Sequence, residues 1–80
     1  MLIIKILGRG CANCDRLEQL ARAAVAEAGV EAELVKVKEF PEIAAYGVMS
    51  TPGLVINEKV VCSGRVPTQE NIVAWLRGAA

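Results

Sequence analysis

Leu7-Gly8-Arg9-Gly10-Cys11-Ala12-Asn13-Cys14-Asp15-Arg16 is the stretch whose reading decides the fold. An apolar run from Met1 to Leu7, broken only by Lys5, stops at a turn bracketed by Gly8 and Gly10. Two cysteines follow at Cys-x-x-Cys spacing, just where a helical pattern begins. Two thiols therefore stand one turn apart at the N-terminal end of a helix, where unsatisfied N–H groups and the helix dipole favour a thiolate. Cys11 falls beyond the helix end, open to those N–H groups, and Cys14 lies a turn further in. That asymmetry makes Cys11 the attacking thiolate and Cys14 the resolving thiol of a dithiol/disulfide couple. Arg9 and Arg16 favour the thiolate and Asp15 opposes it.

Outward from this turn the chain alternates strands and helices. Leu2 to Leu7 reads as a short strand, apolar on both faces, which suits a central place in a sheet covered by helices on both sides. Lys5 is the exception and is expected to snorkel to an edge. From Ala12 to Ala28, Leu17, Leu20, Ala21, Ala24, Val25 and Ala28 fall on one helical face, and Gly29 supplies a left-handed cap. Val30 to Lys38 reads as an edge strand, with Val35 and Val37 alternating against Lys36 and Lys38. A strand, a helix and a second strand make a parallel βαβ unit.

Glu39 to Tyr46 reads as a short helix, with Pro41 in its first turn and Gly47 after its end. Its expected buried residues are Ile43, Ala44 and Tyr46. Leu54-Val55-Ile56 and Val60-Val61-Cys62 flank Asn57-Glu58-Lys59 as an antiparallel hairpin. Thr68 is a good N-cap for a closing helix from Thr68 to Gly78, with Ile72, Val73, Leu76 and Ala79 on its apolar stripe and Trp75 at the border. The order is βαβαββα, an α/β domain spanning residues 1–80 with a four-stranded mixed sheet flanked by helices.

Eighty residues suit one small domain, and 54% hydrophobic content against the usual ~45–50% argues for a packed core. Nine basic and nine acidic residues cancel and no long charge run appears, so the sequence shows no sign of a basic face for nucleic acid. The N-terminal apolar run is too short and lacks the flanks of a signal peptide or membrane span, so no membrane partner is expected. Three cysteines are too few, and odd in number, for a disulfide-stapled secreted scaffold. A reducing cytoplasm is the expected setting, where Cys-x-x-Cys is catalytic or metal-binding. With no histidine in the chain, Cys–His hydrolysis and imidazole zinc sites are excluded.

Gly8 and Gly10 read as turn glycines, since the fuller phosphate-binding patterns are absent. Cys62 reads as a small buried hydrophobe, the sharper option being a third thiol. Met49 suits either a substrate groove or the core. Phe40 and Trp75 read as core, and Arg65 as a solvated loop residue. Thr51-Pro52 precedes a buried strand, where a proline belongs at the first position because it cannot donate to the ladder. From the residues alone its peptide bond is trans by default.

Gly-x-x-Cys-x-x-Cys at a strand–helix junction, Ser50-Thr51-Pro52 before a hairpin, and a last helix after Ser63-Gly64-Arg65-Val66-Pro67 together resemble the thioredoxin-like superfamily. The likeness is greatest to its smallest, glutaredoxin-sized redox-active disulfide proteins. That resemblance implies a thiol–disulfide oxidoreductase needing no cofactor or metal. It implies a cis Pro52 packed beside the disulfide, and a Thr51 backbone that pairs with an extended substrate. Its substrates would be protein or small-molecule disulfides, and its electrons would come from an upstream dithiol reductant.

The departures are Ala12-Asn13 between the cysteines, Gly10 in place of an aromatic before Cys11, and no acid in the first strand. No clear glutathione-binding set is present. The alternative is a soft-metal carrier for copper or zinc, in which Cys11 and Cys14 ligate the ion. Ferredoxin-like carriers of this length run βαββαβ and end in a strand, whereas this pattern ends in a helix.

Overall fold

Seven elements follow one another in a computed structural model that describes residues 1–79. They are β1 (Leu2–Leu7), α1 (Ala12–Ala28), β2 (Ala32–Val37), α2 (Phe40–Ala45), β3 (Gly53–Ile56), β4 (Lys59–Ser63) and α3 (Gln69–Ala79). The strands form one mixed sheet in the order β2-β1-β3-β4. β1 runs parallel to β2 and antiparallel to β3, and β3 is antiparallel to β4. β1 thus has a hydrogen-bonded neighbour on each side, which explains a strand apolar on both faces.

Alternation along the strands divides the core. Leu2, Ile4 and Ile6 join Leu54 and Ile56 beneath Leu17, Ala21 and Ala24 of α1 and Ile72, Val73 and Leu76 of α3. Leu7 turns the other way, with Val37 and Val55, against Ile43 of α2 and Val48. Helices α1 and α3 therefore share one face of the sheet, and α2 lies on the other. Each fully buried Leu or Ile contributes on the order of 1.5–3 kcal/mol.

The expected punctuation is present. Gly29 caps α1 in the left-handed conformation (φ 68°), its N–H donating to Val25 O. Thr68 Oγ1 accepts from Asn71 N at 3.1 Å at the start of α3. The hairpin turns through Asn57 and Glu58, both at positive φ (50° and 69°), so its loop has two residues and Lys59 already pairs with Ile56.

Three expectations are corrected. Lys5 does not run free to an edge: its ammonium donates to Tyr46 Oη and to Glu58 Oε1, each at 2.6 Å, and Tyr46 Oη donates to the same carboxylate. Ala44 is exposed, because six residues of α2 present a single inward position, Ile43. Phe40, read as core, is 60% exposed, because it opens α2 at the rim of the sheet. Trp75 packs, partly buried, against the larger core as a border residue.

Candidate active site

The end of β1 is pinned first: Gly8 N donates to Val37 O at 3.0 Å, extending the β1–β2 ladder into the turn. The chain then reverses through Gly10 at φ 81° and delivers Cys11 as the N-cap of α1. Cys11 is extended (φ −75°, ψ 162°), its carbonyl accepts from Asp15 N at 3.0 Å, and its Sγ accepts from Cys14 N at 3.1 Å. A sulfur that caps a helix receives an N–H bond and the positive end of the dipole, both of which favour its anionic form.

Cys11 and Cys14 are joined as a disulfide, with Cα atoms 5.0 Å apart. The two sulfurs differ in access. Cys11 belongs to an exposed residue, whereas Cys14 is 5% exposed. Gly8 is the reason Cys14 fits: a Cβ on Gly8 would clash with Cys14 Sγ and lie 3.9 Å from Thr51 Cβ. This glycine is needed for close approach, not for backbone conformation.

The Gly8 contacts bring in the second half of the site. Thr51-Pro52 is a cis peptide, as the resemblance implied and against the trans default of the residues alone. Pro52 is buried and Thr51 exposed. The bend that carries them is tied to the far side of the hairpin: Gly64, at φ 76°, donates its N–H to Pro52 O at 2.9 Å.

A groove of about 420 Å³ runs past Cys11 and Thr51, with Phe40, Val48 and Met49 as apolar walls and Arg9 as its one charged residue. Met49 is 98% exposed at its edge. Of the two roles open to Met49, the groove is the one the structure supports. Phe40 was missed as a site residue, because an aromatic one place before a helix-start proline carries no signal of exposure.

Cys62 lies elsewhere, buried in the core shared by α1 and α3, its Sγ 3.8 Å from Arg65 O. Among the described residues no three histidine, cysteine or acidic side chains converge as a metal site. No helix among them is long and apolar enough to cross a membrane.

The sequence profile of the thioredoxin domain family matches residues 2–77. The chain belongs to the thioredoxin family. A thioredoxin of Methanothermobacter thermautotrophicus is 44% identical over 72 residues, covering 90% of this chain and 94% of its own. A thioredoxin of Methanocaldococcus jannaschii is 39% identical over 77 residues, covering 96% of this chain and 88% of its own. Among solved structures, thioredoxin-2 of the malaria parasite superposes with a TM-score of 0.74 at 15% identity, over 98% of this chain and 82% of that one. The germline-specific thioredoxin Deadhead of Drosophila melanogaster does so with a TM-score of 0.71 at 16% identity, over 99% and 81%. These two are similar in fold.

With thioredoxins as relatives and its Cys-x-x-Cys closed as a disulfide, this thioredoxin-family protein is a thiol–disulfide oxidoreductase. The soft-metal carrier is not favoured: the relatives are thioredoxins, and α2 stands between β2 and β3 where that architecture joins two strands directly.

Proposed function

We propose that Cys11 is the nucleophile and Cys14 the resolving residue of a domain spanning residues 1–80, with substrate docked along Thr51-Pro52. The supporting observation is the difference in access between the two sulfurs: Cys11 opens onto the groove at the helix N-cap, and Cys14 is enclosed behind Gly8. In the reduced protein the Cys11 thiolate attacks one sulfur of a substrate disulfide. A Cys11–substrate bond forms, and the other substrate sulfur leaves as thiolate with the electron pair. Cys14, deprotonated, then attacks Cys11 Sγ; the Cys11–Cys14 bond forms and the second substrate thiolate leaves. Two electrons and two protons pass from the dithiol to the substrate, and no cofactor enters.

Thr51, exposed beside Cys11, offers backbone groups for strand-like pairing with an extended substrate, and Phe40 and Met49 offer apolar contact on either side. Protein disulfides fit this groove best, with small disulfides as lesser substrates. An upstream dithiol reductant returns the protein to its reduced form, and a reducing cytoplasm is the compartment in which that cycle runs. Cys14→Ser leaves the first step and removes the second, so it is expected to accumulate a mixed disulfide through Cys11, seen as an intact-mass adduct. Adducts that form through Cys14 in Cys11→Ser, and not through Cys11 in Cys14→Ser, reverse the roles.

A further inference from the structure

The groove beside Cys11 carries charge of one sign. Phe40, Ile43, Val48 and Met49 line it with apolar surface, and Arg9 is the single ionised side chain among its lining residues. The carboxylates close to these residues in sequence stand outside it. Asp15 borders a small cavity with Lys36 and Lys38, Glu42 borders another with Lys5 and Glu58, and Glu39 precedes Phe40 as the N-cap of α2. The ion pairs among the described residues are Lys5–Glu58, Arg22–Glu18 and Lys36–Glu18, and Arg9 belongs to none of them.

Gly10 opens the space between this cation and the reactive sulfur. It puts no side chain between Arg9 and Cys11, and a Cβ built on it would meet nothing within 4 Å. Arg9, exposed, is therefore the first side chain upstream of Cys11. A guanidinium stays charged at every pH at which thiols exchange, and its planar fork matches a carboxylate. The Cys11 thiolate by itself repels an anionic substrate, and Arg9 two residues away offsets that repulsion. A small anionic disulfide would satisfy Arg9 but leave the exposed Phe40 and Met49 in water. A peptide segment with an acidic and an apolar side chain satisfies all three.

We propose that Arg9 selects the substrate: a protein disulfide whose attacked cysteine stands beside an acidic residue, with a neighbouring apolar residue seated against Phe40 and Met49. The proposal rests on the Cys11-nucleophile reading above and names the substrate class of that site. Arg9 acts here on the substrate, in addition to any help it gives the Cys11 thiolate, and the two roles differ in what they predict. Stabilising the thiolate alters the rate with every disulfide alike, whereas recognition alters the ratio between substrates.

The test uses apolar peptides whose single cysteine carries an aromatic thiol in disulfide linkage and is flanked by glutamate, glutamine or lysine. Each is mixed with the reduced full-length protein. The Cys11 thiolate attacks the peptide sulfur; the Cys11–peptide bond forms, the peptide–aryl bond breaks, and the coloured aryl thiolate leaves with its electron pair. Every rate is divided by that of a small neutral thiol on the same peptide, which removes the peptide's own reactivity.

The glutamate peptide is expected to react about threefold to fivefold faster than the glutamine peptide, as an exposed charge pair allows, and the lysine peptide more slowly. Added salt should shrink the preference. Arg9→Gln is expected to abolish it, Arg9→Glu to reverse it and Arg9→Lys to keep part of it. Arg77→Gln, the same change of charge in the last turn of α3, should leave it intact. Equal rates with the three peptides in wild type, or ratios that persist in Arg9→Gln while all three rates fall together, overturn the proposal. So does a small carboxylated thiol on the same aryl group that reacts as fast as the glutamate peptide. Aryl release that persists in Cys11→Ser removes the Cys11-nucleophile reading itself; release that needs Cys11 but shows no preference overturns the role of Arg9 alone.

Discussion

Gly8→Ala tests how the structure makes room for the resolving cysteine. The added Cβ would clash with Cys14 Sγ and meet Cys14 Cβ at 3.3 Å, with Thr51 Cβ beyond it at 3.9 Å. Gly8 is buried, and its N–H is fixed to Val37 O, so the backbone has little freedom to retreat. Overpacking of this kind costs about 1–3 kcal/mol. A domain of this size has roughly 4–12 kcal/mol in total, at ~0.05–0.15 kcal/mol per residue. About 2 kcal/mol corresponds to a fall in Tm of roughly 8–16 °C.

The assay is urea unfolding under reducing conditions of Gly8→Ala, Cys14→Ala and the double variant. Because the penalty arises from one sulfur, the double variant should recover most of it, with a coupling of ~1 kcal/mol or more. Gly10→Ala is the contrasting control: nothing lies within 4 Å of its Cβ, but its φ of 81° imposes about 1–2 kcal/mol of backbone strain that Cys14→Ala does not relieve. A Gly8→Ala protein as stable as wild type, or a penalty untouched by Cys14→Ala, refutes the packing argument.

Three further outcomes follow from the same geometry. Gly64→Ala combines positive φ with a Cβ 3.1 Å from Ser50 Cβ, and should lose ~1–2 kcal/mol in urea unfolding while slowing reaction with protein disulfides, because it displaces the donor to Pro52 O. Met49→Ser, at a side chain 98% exposed, should stay within about 0.5 kcal/mol of wild type in stability. It should lower kcat/KM for a reduced-protein assay with a protein disulfide severalfold, with little change for a small polar disulfide; equal loss on both would argue against the groove.

The third concerns pH. Glu58 is held below the ordinary carboxylate range by Lys5 first and Tyr46 second, so its contribution is present above that range and lost as pH falls through the folded pKa. Lys5 is raised above its ordinary value by Glu58 first and Tyr46 second, so its contribution is complete below the ordinary lysine value and is lost as pH rises from there through the raised one. Lys5→Met should therefore flatten the acid limb of a urea-midpoint profile, leaving the part due to Glu18, whose carboxyl Lys36 and Arg22 hold below its ordinary range. An unchanged limb would mean the cluster is not coupled to folding.

The fold was legible because several local signals agreed. The periodicity of Leu17, Ala21 and Ala24, the stops at Gly29 and Gly47, the cap at Thr68 and the two-sided apolarity of β1 each point to the observed element. The two cysteines and Thr51-Pro52 were legible as pieces, and the resemblance supplied their adjacency and the cis bond. What escaped depends on distances between elements. The exposure of Phe40 follows from how little of α2 reaches the core. The closeness of Gly8 to Cys14 follows from the angle at which α1 leaves β1. Glu18 and Lys36 meet only because β2 runs parallel to β1 under the first turns of α1, and neither residue type signals that in sequence.

The claim on which everything depends is that Cys11 and Cys14 interconvert as a two-electron couple. Thiol alkylation and mass analysis of the full chain, equilibrated across a series of dithiol/disulfide buffers, measures it directly. The account predicts a single transition involving both cysteines, with the ratio of forms changing tenfold for each ~30 mV of applied potential, and none in Cys11→Ser. Cysteines that remain alkylatable across the whole series, or that titrate separately as mixed disulfides, would contradict it.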